Sequence, residues 1–98
     1  MSKFGALIDL EIPVLIDFFS AKDQASVAMN PVLREVAAAL GDQIKVIKID
    51  IEKNQDLAEA LRIKGLPTLV IYKSGEMKWR QSGAQTTNAL TSVLQKFI

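Results

Sequence analysis

Apolar residues in this chain gather into short blocks parted by polar turns, and their period changes from block to block. Val14-Leu15-Ile16-Asp17-Phe18-Phe19 is almost continuously apolar, the pattern of a strand buried on both faces of a parallel sheet. Residues 44–50 form a second such strand. Residues 20–22 are a turn, and residues 23–40 then read as a long helix with Val27, Leu33, Val36 and Leu40 on its core side and Gly41 as its stop. Ahead of the first strand, residues 2–10 predict a short helix with Phe4, Leu7 and Ile8 on one side, Ser2 as its N-cap and Pro13 closing it off. Downstream, Asn54 caps a short helix over residues 55–61. Residues 69–73 and 77–82 make a hairpin around Ser74-Gly75. Thr86 or Thr87 then caps a last helix to Lys96, which buries Leu90, Val93, Leu94 and Phe97 at spacings of three and four.

A strand–helix–strand unit makes a right-handed parallel crossover, and a terminal hairpin adds two antiparallel neighbours. The expected fold is α/β: a four-stranded mixed sheet in the order 2-1-3-4, with helices on both faces. Composition fits one domain over residues 1–98. The hydrophobic fraction is 49%, and a chain of this length buries roughly 65% of its unfolded surface. Twelve basic and eleven acidic side chains give a net charge of +1, no footprint for nucleic acid or an anionic membrane. No apolar run reaches the length of a membrane span, and the first residues lack the pattern of a secretory leader. The expectation is a monomer in the cytoplasm. With no cysteine and no histidine the usual ligands of zinc, haem and iron–sulfur clusters are missing, so no metal or cofactor is expected.

Among single residues Asp17 stands out. A charged carboxylate inside a buried strand costs several kcal/mol if unpaired, so its pKa should rise, unless the side chain reaches water at the strand end. Asp23 opens the long helix, where aspartate is a favoured cap and its charge suits the helix dipole. Ser26 lies one turn along. A serine beside a carboxylate suggests an activated nucleophile, but no histidine is present to relay the proton and Gln24-Ala25 offers no oxyanion site. Trp79 sits on the second hairpin strand, either as a half-buried cover for the sheet or as a partner contact.

Asp17-Phe18-Phe19-Ser20-Ala21-Lys22-Asp23-Gln24-Ala25-Ser26, then Pro31, Gly65-Leu66-Pro67-Thr68, Gly75 and Gly83 stand at the spacing of the thioredoxin family, which the chain resembles from about residue 14 to its end. The resemblance implies the thioredoxin fold without the usual N-terminal edge strand, for which the chain begins too late. It places the family's two cysteines at Asp23 and Ser26, and two tryptophans at Phe19 and Lys22. It makes Asp17 the buried carboxylate behind the second cysteine, accompanied by Lys48 on the neighbouring strand as a buried pair. Pro31 matches the helix-kinking proline. Gly65, Leu66 and Pro67 match the loop with a cis-proline, where the residue before the proline pairs through its backbone with an extended substrate. A thiolate is the nucleophile of thiol–disulfide exchange, and neither aspartate nor serine supplies one.

The expectation is therefore a redox-inactive domain, not an enzyme, that binds an extended peptide or protein through the former active-site groove around Lys22, Asp23, Gln24, Ala25 and Ser26. The alternative is a thiol–disulfide oxidoreductase in a form whose cysteines are replaced. A structural domain with no groove function is the third reading.

Overall fold

A computed structural model describes residues 3–98. Helix α1 (Lys3–Ile8) leads into strand β1 (Val14–Phe19), helix α2 (Gln24–Leu40), a 3-10 turn (Gly41–Gln43) and strand β2 (Lys45–Asp50). Helix α3 (Gln55–Ala60), strands β3 (Thr68–Lys73) and β4 (Glu76–Ser82) and helix α4 (Thr87–Gln95) complete the described chain. The strands form one sheet in the order β2-β1-β3-β4. The β1–β2 pair is parallel, and the β1–β3 and β3–β4 pairs are antiparallel. This is the mixed sheet expected from the pattern.

Local chemistry sets the ends of these elements. The Ser2 cap lies outside the described residues. Helix α1 stops at Ile8 rather than residue 10 because its last carbonyls are taken by the hairpin turn: Gly75 N–H donates to Ile8 O at 3.1 Å and Ser74 N–H to Leu10 O at 2.7 Å. That turn has positive φ at both Ser74 (54°) and Gly75 (81°), the primed geometry whose twist matches the strands on either side. Thr86, not Thr87, caps α4, accepting from the Ala89 N–H at 3.1 Å. Asn54 occupies the N-cap position of α3, but its side chain makes no cap bond. Instead Nδ2 donates to Asp50 O at 2.8 Å and closes the preceding turn.

The two faces of the sheet carry two cores. Helices α2 and α4 cover Leu15, Leu69 and Ile71 on one face, and α1 and α3 cover Val14, Ile16, Phe18 and Val70 on the other. The buried line of α2 is Ser26, Met29, Leu33, Val36 and Leu40. Val27, expected in the core, is 50% exposed. The helix is phased by Ser26 and Met29, at the spacing of three and four that keeps one face inward, and this turns Val27 outward. Leu7 is likewise exposed, since a helix of six residues buries a single line and Ile8 takes it. Val93 and Phe97 are only partly buried, and Trp79 packs half-buried against the α2–α4 core as a cover for the sheet.

Candidate functional site

The β1–α2 turn is a closed polar loop. Asp23 N–H donates to Ser20 O at 3.1 Å. The Asp23 carboxylate accepts the Ser26 N–H at 2.8 Å, with extended backbone at the cap (φ −96°, ψ 122°). Ser26 is buried, and its Oγ accepts the Ser20 N–H at 3.3 Å. Gln24 is exposed and Ala25 partly so. Asp23 thus satisfies one of the orphan donors at the start of a 17-residue helix. Asp23→Ala is expected to lower stability by about 1 kcal/mol, read from the urea midpoint at constant slope.

Lys22 reaches across to the chain after β2. Its Nζ lies 3.4 Å from Glu52 Oε2, and the Ser20 hydroxyl donates to Glu52 Oε1 at 2.6 Å. The Ser20 bond first, then Lys22, holds the Glu52 carboxyl below its ordinary pKa. The exposed ion pair contributes little by itself. Its effect is positional: together with the Ser20–Glu52 bond it ties the β1–α2 loop to the chain just after β2. Sequence reasoning missed Ser20 and Glu52 as partners, because nothing local joins them.

Behind this loop, Asp17 is fully buried, and neither carboxyl oxygen has a hydrogen-bond partner. Lys48 stands directly across from it in the β1–β2 register. The expected buried pair is nevertheless corrected. Lys48 is exposed, its Nζ donates to Asn30 Oδ1 at 2.5 Å, and it lies 4.6 Å from the centroid of the Phe19 ring. A hydrated ammonium keeps its head toward water and its stem along apolar surface, so it leaves Asp17 unpaired. Burial pushes the Asp17 carboxyl up to about 6, with the charge of Lys48 pulling the other way. Ser26 is not bonded to Asp17 either.

The loop before β3 is fastened at both ends. Arg80 on β4 donates to Leu61 O at 2.6 Å and to Arg62 O at 2.8 Å, filling the carbonyls left at the end of α3. Thr68 Oγ1 donates to Gly65 O at 2.6 Å, and Gly83 N–H to Pro67 O at 2.7 Å. A Cβ on Gly65 would lie 3.2 Å from the Ser82 Cβ, so a larger residue there must push β4 away. The Leu66–Pro67 peptide is cis. Between these anchors Leu66 is half-buried, and its own N–H and C=O make no hydrogen bond among the described residues. Gln85 N–H, approaching Met29 Sδ at 3.5 Å, joins the β4–α4 loop to α2. Pro31 lies within α2 on its exposed side.

The chain thus carries a fixed loop with a free backbone edge at Leu66, a capped helix N-terminus at Asp23 and a buried, unpartnered carboxylate at Asp17. The chain matches the family model described as Thioredoxin over residues 2–96, and it belongs to the thioredoxin family. It is 39% identical over 95 residues to chloroplastic thioredoxin Y of Oryza sativa subsp. japonica, a match spanning 96% of this chain and 56% of that protein's length. It is 38% identical over 86 residues to a thioredoxin-like protein of Synechocystis sp., spanning 88% of this chain and 82% of that one. Mitochondrial thioredoxin 3 of Saccharomyces cerevisiae superposes with a TM-score of 0.85 at 26% identity, covering 96% of this chain and 87% of that one. Chloroplastic thioredoxin z superposes equally well, at 0.85 and 27% identity, over 94% of this chain and 83% of that one.

These relatives correct the expectation that the chain is no enzyme. The thioredoxins among them are oxidoreductases, so the family is an enzyme family, although the chain has no cysteine. The expectation rested on Asp23 and Ser26 alone, whereas the likeness extends over nearly the whole chain. Among the described residues, no helix is long and apolar enough to cross a membrane.

Proposed function

We propose that the chain is a thiol–disulfide oxidoreductase of the thioredoxin type, in a form that carries Asp23 and Ser26 at the cysteine positions and keeps the groove that holds an extended protein segment. The observation that carries the reading is Leu66. Its backbone donor and acceptor are unpaired, while the residues on either side are tied down by Thr68, Gly83 and Arg80. An unpaired backbone edge on a rigid loop is what an extended chain pairs with when it adds as a strand. The helix N-terminus at position 23 supplies the positive end of a dipole. The domain works as a monomer. The chloroplastic name of the rice relative widens its expected compartment from the cytoplasm to the plastid interior.

Asp23→Cys alone tests this. The thiolate attacks one sulfur of a disulfide, the other sulfur leaves as a thiol, and a mixed disulfide remains. Ser26 has no sulfur with which to resolve it, so the adduct accumulates. A disulfide-bonded extended peptide should form the adduct faster than glutathione disulfide does, because it also pairs with Leu66. The adduct is followed by intact mass under non-reducing conditions. Equal rates for the two disulfides would remove the groove from the reading, and absence of any adduct would remove the exchange site.

A further inference from the structure

We propose that Arg80 is a positioning residue for the Leu66 edge: its guanidinium holds Arg62 in a left-handed turn and so fixes the direction in which the chain runs on to Leu66. The assignment rests on the docking role proposed for Leu66. Arg62 and Ser74 are the two non-glycine residues with positive φ among those described. Ser74 belongs to the hairpin turn. Arg62, at φ 55°, follows Leu61, the C-cap of α3. Arg62 N–H donates to Glu59 O at 3.0 Å and Ile63 N–H to Ala58 O at 2.9 Å. That pair of bonds belongs to the turn that ends a helix on a left-handed residue, a place where glycine is favoured because a Cβ crowds the following carbonyl. The Arg62 side chain does nothing to hold it there. It is exposed and makes no hydrogen bond among the described residues.

What holds Arg62 comes from β4, where Arg80 stands opposite Val70. Its guanidinium takes two successive carbonyls in one fork, Leu61 O at 2.6 Å from Nη1 and Arg62 O at 2.8 Å from Nη2. These carbonyls belong to the peptide planes on either side of the Arg62 Cα. A group that grips both planes fixes the φ and ψ of the residue between them. A planar guanidinium does so with donors at a set separation, which a single ammonium lacks. Beyond the turn, Ile63 packs against the α1–α3 core, while Lys64 and Gly65 are exposed. The next fastening is the Thr68 bond to Gly65 O at 2.6 Å. Leu66 therefore takes its direction from Arg62 upstream and from Pro67 and Thr68 downstream. With Arg80 cut back, Arg62 is free to return to the regions that a side chain prefers. The chain ahead of Lys64 then swings, and the open N–H and C=O of Leu66 lose their fixed direction.

Two measurements test this. In the Asp23→Cys chain, the adduct rate with the disulfide-bonded extended peptide, divided by the rate with glutathione disulfide, reports docking at Leu66. Arg80→Met keeps an apolar stem and loses the fork, and it should lower that ratio roughly fivefold or more. In the chain with Asp23 in place, Arg80→Met should speed native-state cleavage by trypsin after Lys64 by about the same factor. Adding Arg62→Gly should restore most of both, because glycine holds a positive φ without help. A residue that merely supported the fold would gain nothing from glycine at position 62. If Arg80→Met does not fold, Arg80→Lys, which keeps the charge without the fork, decides by the same measurements. Unchanged cleavage after Lys64, a fall of both adduct rates in step, or no recovery with Arg62→Gly would each overturn the assignment. An Asp23→Cys chain with no preference for the peptide would overturn the docking role of Leu66 and this assignment with it. A preference that persists in full in Arg80→Met would overturn this assignment alone.

Discussion

Asp23→Cys together with Ser26→Cys should form an intramolecular disulfide and reduce insulin at a rate above that of the unsubstituted chain. The two positions are the cap and the third helical residue of α2, one turn apart and already joined by the Asp23–Ser26 bond of 2.8 Å. The first thiol would sit at the positive end of a 17-residue helix, which lowers its pKa and raises its thiolate fraction. The second would take the buried place of Ser26, behind the loop and on the Asp17 side of the sheet. Loss of the aspartate cap costs about 1 kcal/mol, which a domain of ordinary stability tolerates. The rate should stay well below that of an ordinary family member. Lys22, tied to Glu52 at 3.4 Å, occupies the rim where the family has an aromatic ring, and Gln24-Ala25 replace the residues between its thiols. Each turnover oxidises the two thiols as it reduces one insulin disulfide, and NADPH with a thioredoxin reductase restores them. If the cysteines stay reduced in an oxidising glutathione buffer, the loop differs from the one described here and the exchange reading falls.

The sheet was legible because β1 and β3 are apolar runs and the turn at Ser74-Gly75 marks the strand that follows. Residues 14–19 are an almost continuous apolar run and residues 44–50 a mixed apolar and charged stretch of strand length, and their separation by one helix forces a parallel crossover. The cap at Asp23, the turn at Ser74-Gly75 and the half-buried Trp79 followed from local chemistry, and the structure places them as expected. The phase of α2 was less legible. Val27 and Met29 are both apolar, and only the depth of Ser26 decides which of them turns inward. A buried serine gives no apolar signal, so the pattern alone favoured the wrong residue. The Asp17–Lys48 pair failed for a related reason. Register puts the two residues side by side, and the expectation stopped at register. Where a long side chain goes depends on what else it can reach, here Asn30 and the Phe19 ring. The Ser20–Glu52 contact and the unpaired Leu66 backbone are tertiary facts that no window of sequence contains.

Asp17→Asn should make the protein more stable at neutral pH and leave it almost unchanged in acid. The folded carboxyl titrates at about 6 against an ordinary value of 3.8, because burial disfavours its charge more than Lys48 favours it. Below 3.8 both the folded and the unfolded chain hold the proton, and the buried group carries no charge penalty. Between 3.8 and about 6 the unfolded chain releases the proton while the folded one keeps it, so stability falls as pH rises. Above about 6 both are ionised and the penalty is complete, on the order of 3 kcal/mol for that separation. Asparagine keeps the shape and removes the charge, but its amide meets the same lack of partners that leaves both oxygens unbonded. The net gain near pH 7 is therefore expected to be smaller, about 1–2 kcal/mol. Urea denaturation of both proteins across the acid-to-neutral range measures it. The original chain should lose stability between pH 4 and 6 relative to the variant, and the two curves should converge in acid. A variant that is less stable at neutral pH would show that the ionised carboxylate is paired in solution. Lys48 is the cation placed to do this, by releasing Asn30 and turning inward across the β1–β2 register.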